Sequence, residues 1–236
     1  MDVKLLKEEH HKMFYLKAAK LFYLSKRAWP DILTVVVSFL CTRVQRATVE
    51  DWGKLTRMLG YLKAMANRPL VLTCTDAVMR VHAYVDASYA LHDDSKPHTG
   101  AAIYVGGYLV YASSRKQKCV TKSPTKAELV GLTDSIGLVE LFEEFVAFIA
   151  AREPMVPVTY QDSLSVVSLV MKRGGVPRTK HLRARMNLAK EAICKNWIVV
   201  KHVLSPEMKA DGFSKGYDPK DHKSNRQPVG ATYYYV

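Results

Sequence analysis

The sequence predicts an α/β fold: a mixed β-sheet with helices on both faces, preceded by a small helical unit. Three observations predict it. Hydrophobic spacing is helical as far as Arg68-Pro69 and alternates with period two beyond it. Two alternating runs, 100–105 and 108–113, flank Gly106-Gly107, the pattern of a tight hairpin. A long apolar stripe over 125–150 is then followed by strand, helix and strand patterns, which add parallel strands to the hairpin.

Taken in order, residues 3–28 carry Leu5, Leu6, Met13, Phe14, Leu16, Leu21, Phe22 and Leu24 among lysines, a helical pattern. Trp29-Pro30 ends it, because a residue before proline is pushed out of the helical region. Asp31 is the expected N-cap of a helix through ILTVVVSFLCTRV, and Thr48 with Asp51 that of the next, where Trp52, Leu55, Leu59 and Leu62 recur. Strands are expected at 70–74, 80–88, 100–105 and 108–113. A helix over 125–150 buries Leu132, Ile136, Val139, Phe142, Val146 and Ile149. A strand at 156–161, a short helix 163–172, a Gly174-Gly175 break, a basic helix 180–195, a strand 197–203 and a short helix from 206 complete the order. This divides the chain into a helical unit (1–67), a sheet domain (68–216) and a tail (217–236) without periodicity, expected to be disordered.

With 48% hydrophobic residues the 236-residue chain buries a real core. Its longest apolar runs are too short to span a bilayer and its first twenty residues lack a signal-peptide core, so a soluble, intracellular protein without a membrane partner is expected. The four cysteines, Cys41, Cys74, Cys119 and Cys194, stand far apart, which argues against a zinc site or a disulfide framework and for packed thiols. The net charge of +13 favours a polyanionic partner. Between Lys172 and Lys201 nine Lys or Arg face the single acid Glu191, and nucleic-acid phosphate explains so one-sided a run better than a solvated helix face does.

Four acids stand where propensity does not put them. Asp86, in HAYVDAS, interrupts a strand on the face of His82 and Tyr84. Glu128, in TKAELVGL, is expected in the first turn of the long helix. Asp162, in YQDSLSVV, ends a strand, and Asp211, in KADGFSKG, lies in the last short helix. Singly, Glu128 can serve the helix dipole, Asp162 can be an N-cap and Asp211 can be solvated. Asp86 has no such local role. If the first strand lies beside the one ending at Asp162, all four converge on one edge, and an all-oxygen cluster suits Mg²⁺ or Mn²⁺.

The segments YVDAS, KPHTG, SSRKQKCVTKSPTKAEL, YQDSLSVVSL, RTKH and KADGFSK resemble the ribonuclease H domain of copia-type retrotransposon polyproteins. The upstream run from KAAKLFYL to GYLK resembles the polymerase tail that precedes it, so the likeness covers about residues 15–216. It implies a ribonuclease H-like five-stranded mixed sheet, with Asp86, Glu128, Asp162 and Asp211 at the acidic metal-binding positions. Ser163 stands where copia-type relatives usually have Asn, TKAE where they have Thr-Glu-Ala-Glu, and FSKG where they have Phe-Thr-Lys-Pro. His98 and His181 match family positions, and His202 lies near a mobile histidine of cellular ribonucleases H. His10-His11 and His92-Asp93-Asp94 read as solvated groups.

The resemblance implies a two-metal endonuclease that cuts the RNA strand of RNA–DNA hybrids, with other polyprotein domains as further partners. Its expected place is inside cells, in the cytoplasm, a virus-like particle or the nucleus. Arg115, Lys116, Arg178, Lys180, Arg183 and Arg185 are the candidate phosphate contacts, joined by Ser163 and His181. A second reading stays open: a remnant that holds nucleic acid, or supports a polymerase, without cutting. A polymerase domain is excluded, since Ala87 stands where the paired-aspartate motif needs its second acid.

Overall fold

A computed structural model describes residues 4–32, 35–67, 76, 78–92, 94–172 and 180–215. The expected strand 70–74, the Gly174-Gly175 break, Arg178 and the tail 217–236 lie outside the described residues.

Three helices come first: α1 (Glu8–Arg27), α2 (Val35–Thr42) and α3 (Val49–Met65). Asp31, the expected N-cap, falls instead within a 3₁₀ turn, Pro30–Ile32, that Pro30 opens with its preset φ, while α2 begins at Val35. The cap of α3 is the expected box: Thr48 Oγ1 accepts from Asp51 N at 3.1 Å, and Asp51 Oδ2 accepts from Thr48 N at 2.9 Å. Phe14, Ala18, Leu21, Val37, Leu40 and Leu55 form a core belonging to these helices. They also touch the sheet, where Lys26 Nζ donates to the Ala112 carbonyl (2.7 Å) and Ser38 Oγ to the Ser114 carbonyl (3.0 Å).

The sheet comprises β1 (Val81–Ser88), β2 (His98–Val105), β3 (Tyr108–Lys116), β4 (Val158–Gln161) and β5 (Val199–His202), in the order β3-β2-β1-β4-β5. β1 pairs antiparallel with β2 and parallel with β4; β2–β3 is antiparallel and β4–β5 parallel. Gly106 and Gly107 both take positive φ, 60° and 92°, which a two-residue turn of this hand demands. α4 (Pro124–Ile149), α5 (Leu164–Met171) and α6 (Lys180–Cys194) share one core with the sheet, through Val81, Ala83, Ile103, Leu132, Ile136, Val166, Met186 and Val200. On the opposite face α7 (Asp211–Ser214) sends Phe213 against Ala102, Tyr104, Leu109 and Ala112. The architecture is the expected mixed five-stranded sheet with helices on both faces. Cys41, Cys119 and Cys194 are unbridged, but Cys194 is exposed rather than packed. Among the described residues no helix is long and apolar enough to cross a membrane.

Candidate active site

The parallel pairing of β1 with β4 sets Tyr84 beside Tyr160. Two residues further on, both strands deliver an acid: Asp86, still inside β1, and Asp162, just past the end of β4. Strand ends beside a change of strand order are where α/β sheets collect ligand-binding groups. α4 brings the third acid. Glu128 is the fifth residue of that helix, one turn deeper than expected, and no acid occupies the first turn. The helix dipole therefore does not explain it; instead Glu128 Oε1 accepts from the backbone N of Ala87 at 3.1 Å, which locks α4 to β1 beside Asp86.

One carboxylate oxygen from each of Asp86, Glu128 and Asp162 lies within 4.8 Å of the other two. Asp86 and Glu128 are buried and Asp162 half-buried. Asp162 is not an N-cap, because Ser163 fills that place and accepts from Val166 N. The Asp162 carboxylate takes the hydroxyl of Ser205 at 2.9 Å, and its carbonyl lies 3.1 Å from His202 Nε2. Asp211 stands apart from the trio as the first residue of α7 and is linked to Asp86 through Lys215, whose Nζ pairs with Asp211 and lies 3.4 Å from Asp86 Oδ2. Ser214 Oγ donates to the same Asp86 oxygen.

α7 reaches this place because β2 carries Gly100 directly opposite Asp86. The helix backbone lies so close that a Cβ on Gly100 would meet the Ala210 carbonyl oxygen and Ser214 N at 2.6 Å.

Crowding sets the protonation of the cluster. Burial pushes the Glu128 carboxyl up to about 9, reinforced by the Asp86 charge and opposed by the Ala87 N–H. Burial also raises Asp86, against the pull of the Lys215 ammonium and the Ser214 hydroxyl. Glu128 Oε2 is buried and receives no hydrogen bond. Three clustered carboxylates with an unsatisfied buried oxygen fit a hard divalent cation, which satisfies the lone pairs and removes the repulsion together.

The other expected residues are spread more widely. Arg115 and Arg183 are exposed. Lys116 pairs with Asp94 at 2.8 Å. The Arg185 guanidinium is tied back to α4 through Asp134 and through Thr133 Oγ1 at 2.9 Å. Lys180 and His181 open α6, with side chains outside the described set. His98 is fully buried, 3.0 Å from His92 Nε2 through its Nδ1 and 2.7 Å from Ser114 Oγ through its Nε2. His92 is thus not the solvated group its acidic neighbours suggested. Ser205, Ser214, Lys215 and Gly100 are not among the expected site residues; the signal for the last three is their place inside KPHTG and KADGFSK.

No family model matches the chain. It is 26% identical over 204 residues to the retrovirus-related Pol polyprotein from transposon RE1 of Arabidopsis thaliana, covering 86% of this chain and 14% of that polyprotein. Against the Pol polyprotein from transposon RE2 of the same plant the identity is 26% over 187 residues, covering 79% of this chain and 13% of the relative. The chain thus spans about a seventh of the length of these relatives. Among solved structures, LC11-RNase H1, isolated from compost by a metagenomic approach, aligns with 58% of this chain and 93% of its own at 17% identity and a TM-score of 0.45. Along most of its length the chain is thus similar in sequence to retrovirus-related Pol polyproteins of plant transposons, in agreement with the copia-type resemblance of its motifs.

Proposed function

We propose that the chain is a metal-dependent endonuclease that hydrolyses the RNA strand of RNA–DNA hybrids. The observation that carries this reading is the meeting of Asp86, Glu128 and Asp162 oxygens within 4.8 Å at the β1–β4 strand ends. Asp86, Glu128 and Asp162, with Asp211 at the rim, would hold Mg²⁺ or Mn²⁺, which when bound supplies an activated water and charge stabilisation for the leaving oxygen. The chain's own residues position. The Ala87 N–H orients Glu128, the Ser205 hydroxyl orients Asp162, and Ser214 holds Asp86. The exposed Arg115 and Arg183, with Lys180, serve the hybrid backbone, and 2′-hydroxyl contacts select RNA. In this reading residues 68–216 form the nuclease, residues 1–67 a helical unit that grips substrate, and the protein works inside the cell beside other polyprotein domains.

The test is a labelled hybrid, with duplex DNA and duplex RNA as controls, incubated with the full chain and Mg²⁺. The expected result is cleavage of the RNA strand of the hybrid alone, abolished in Asp86→Asn and Asp162→Asn. Retention of the hybrid on a filter without any metal-dependent cutting would replace this reading with that of a non-catalytic binding module.

A further inference from the structure

Among the described residues, Lys215 is the cation paired with the acids of the cluster. It is the first residue after α7, and that helix is seated on Gly100 over Asp86. From there its Nζ reaches Asp86 Oδ2 at 3.4 Å and pairs with Asp211 Oδ1. Its side chain is 48% exposed, so the ammonium that reaches the cluster is not sealed inside it. The hydrogen bonds and ion pairs described for that ammonium all go to these two carboxylates. The Asp86 oxygen it faces already takes the Ser214 hydroxyl. A cation taking Asp86 Oδ2 or Asp211 Oδ1 must therefore claim an oxygen that a protein cation holds, and a half-exposed lysine can swing outward without opening a cavity.

Resting on the ribonuclease reading of this site, we propose that Lys215 is a built-in counter-cation that neutralises Asp86 and Asp211 in the metal-free protein and yields its place to the divalent metal. Holding the acids together before metal arrives keeps α7 seated. The cost is weaker metal binding, because two positive charges compete for the same oxygens.

The experiment compares the full chain with Lys215→Met and Lys215→Gln. Mn²⁺ titration calorimetry without nucleic acid is paired with thermal melting in EDTA and in Mg²⁺. Removal of the competitor should tighten Mn²⁺ binding roughly three- to fivefold, the scale of a half-exposed charge pair. The melting temperature in EDTA should fall by about 2 °C, and the deficit should close in Mg²⁺. In an Asp86→Asn background the same lysine substitution should leave Mn²⁺ affinity nearly unchanged. Unchanged or weaker Mn²⁺ binding, with an equal melting deficit in both buffers, would reduce Lys215 to a plain surface ion pair and overturn the proposal. The two readings fail separately. Tighter Mn²⁺ binding by the variants without hybrid cleavage by the parent chain would sink the nuclease and keep the lysine, and cleavage with unaltered Mn²⁺ affinity would do the reverse.

Discussion

Gly100 lies directly across the β1–β2 ladder from Asp86, and the backbone of α7 fills the space a side chain there would need. A single missing methyl thus governs whether Asp211, Ser214 and Lys215 reach the acid on the neighbouring strand. Gly100→Ala should lift α7, cost about 1–3 kcal/mol of stability and lower hybrid cleavage at least ~10-fold. Urea unfolding and initial rates check both. Gly53, with nothing within 4 Å of its would-be Cβ in the middle of α3, is the control: Gly53→Ala should stabilise by about 0.5–1 kcal/mol and leave cleavage unchanged.

Glu128 gives the cluster a pH signature. Its folded carboxyl is raised to about 9 by burial and the Asp86 charge, against 4.5 for the free group. Between those values the unfolded chain ionises while the folded one keeps its proton, so in EDTA this group makes stability fall as pH rises through that window. Glu128→Gln should flatten that part of the stability profile. In the parent chain Mn²⁺ must displace the Glu128 proton, so affinity should strengthen from pH 6 to pH 8.5, with proton release visible as a buffer-dependent heat. A pH-independent affinity would remove Glu128 from the ligand set.

His98 has the opposite sign. Burial, and then the charge of His92, lowers it to about 3 from 6.5. Its neutral form is favoured by folding, so stability is full above 6.5 and is lost as pH falls through the window toward 3. The loss between pH 6.5 and pH 5 should be about 1–2 kcal/mol, and His98→Asn should remove it from the profile measured by chemical denaturation.

Two arginines of α6 should separate cleanly. Arg183 is exposed, whereas Arg185 is bound to Asp134 and Thr133 of α4. Arg183→Gln should weaken hybrid binding and reduce the slope of log affinity against log salt by about 1. Arg185→Gln should leave that slope unchanged and lower stability by about 1 kcal/mol.

Legibility in the sequence followed the range of the interaction that fixes each residue. The helices ahead of the sheet, the Gly106-Gly107 hairpin and the succession of later strands and helices are readable because period and turn chemistry are local, whereas the order of strands across the sheet is not local and stood only as a condition. Asp86 was readable for a negative reason: a strand-centre acid has no local use. Glu128 is legible only as a member of the four-acid set; its local alternative, service to the helix dipole, gives way to a bond from the Ala87 N–H of another element. Arg185 read as a phosphate ligand because charge runs do not disclose which face meets α4. Lys215 and His92 were invisible as site and core residues, because one depends on how α7 lands on β2 and the other on a histidine six positions along.

The two hydrogen bonds from the helical unit to β3 have a further effect. β3 is the outermost strand of the sheet, and Lys26 and Ser38 occupy the carbonyls of Ala112 and Ser114 along it. An outer strand of nine residues with free main-chain acceptors is a template on which a second molecule can stack its own strand. At the far border β5 has only four residues and ends in the exposed Lys201 and His202, a poor template. The helices ahead of the sheet therefore cover part of the edge on which a strand from another copy of this chain could stack.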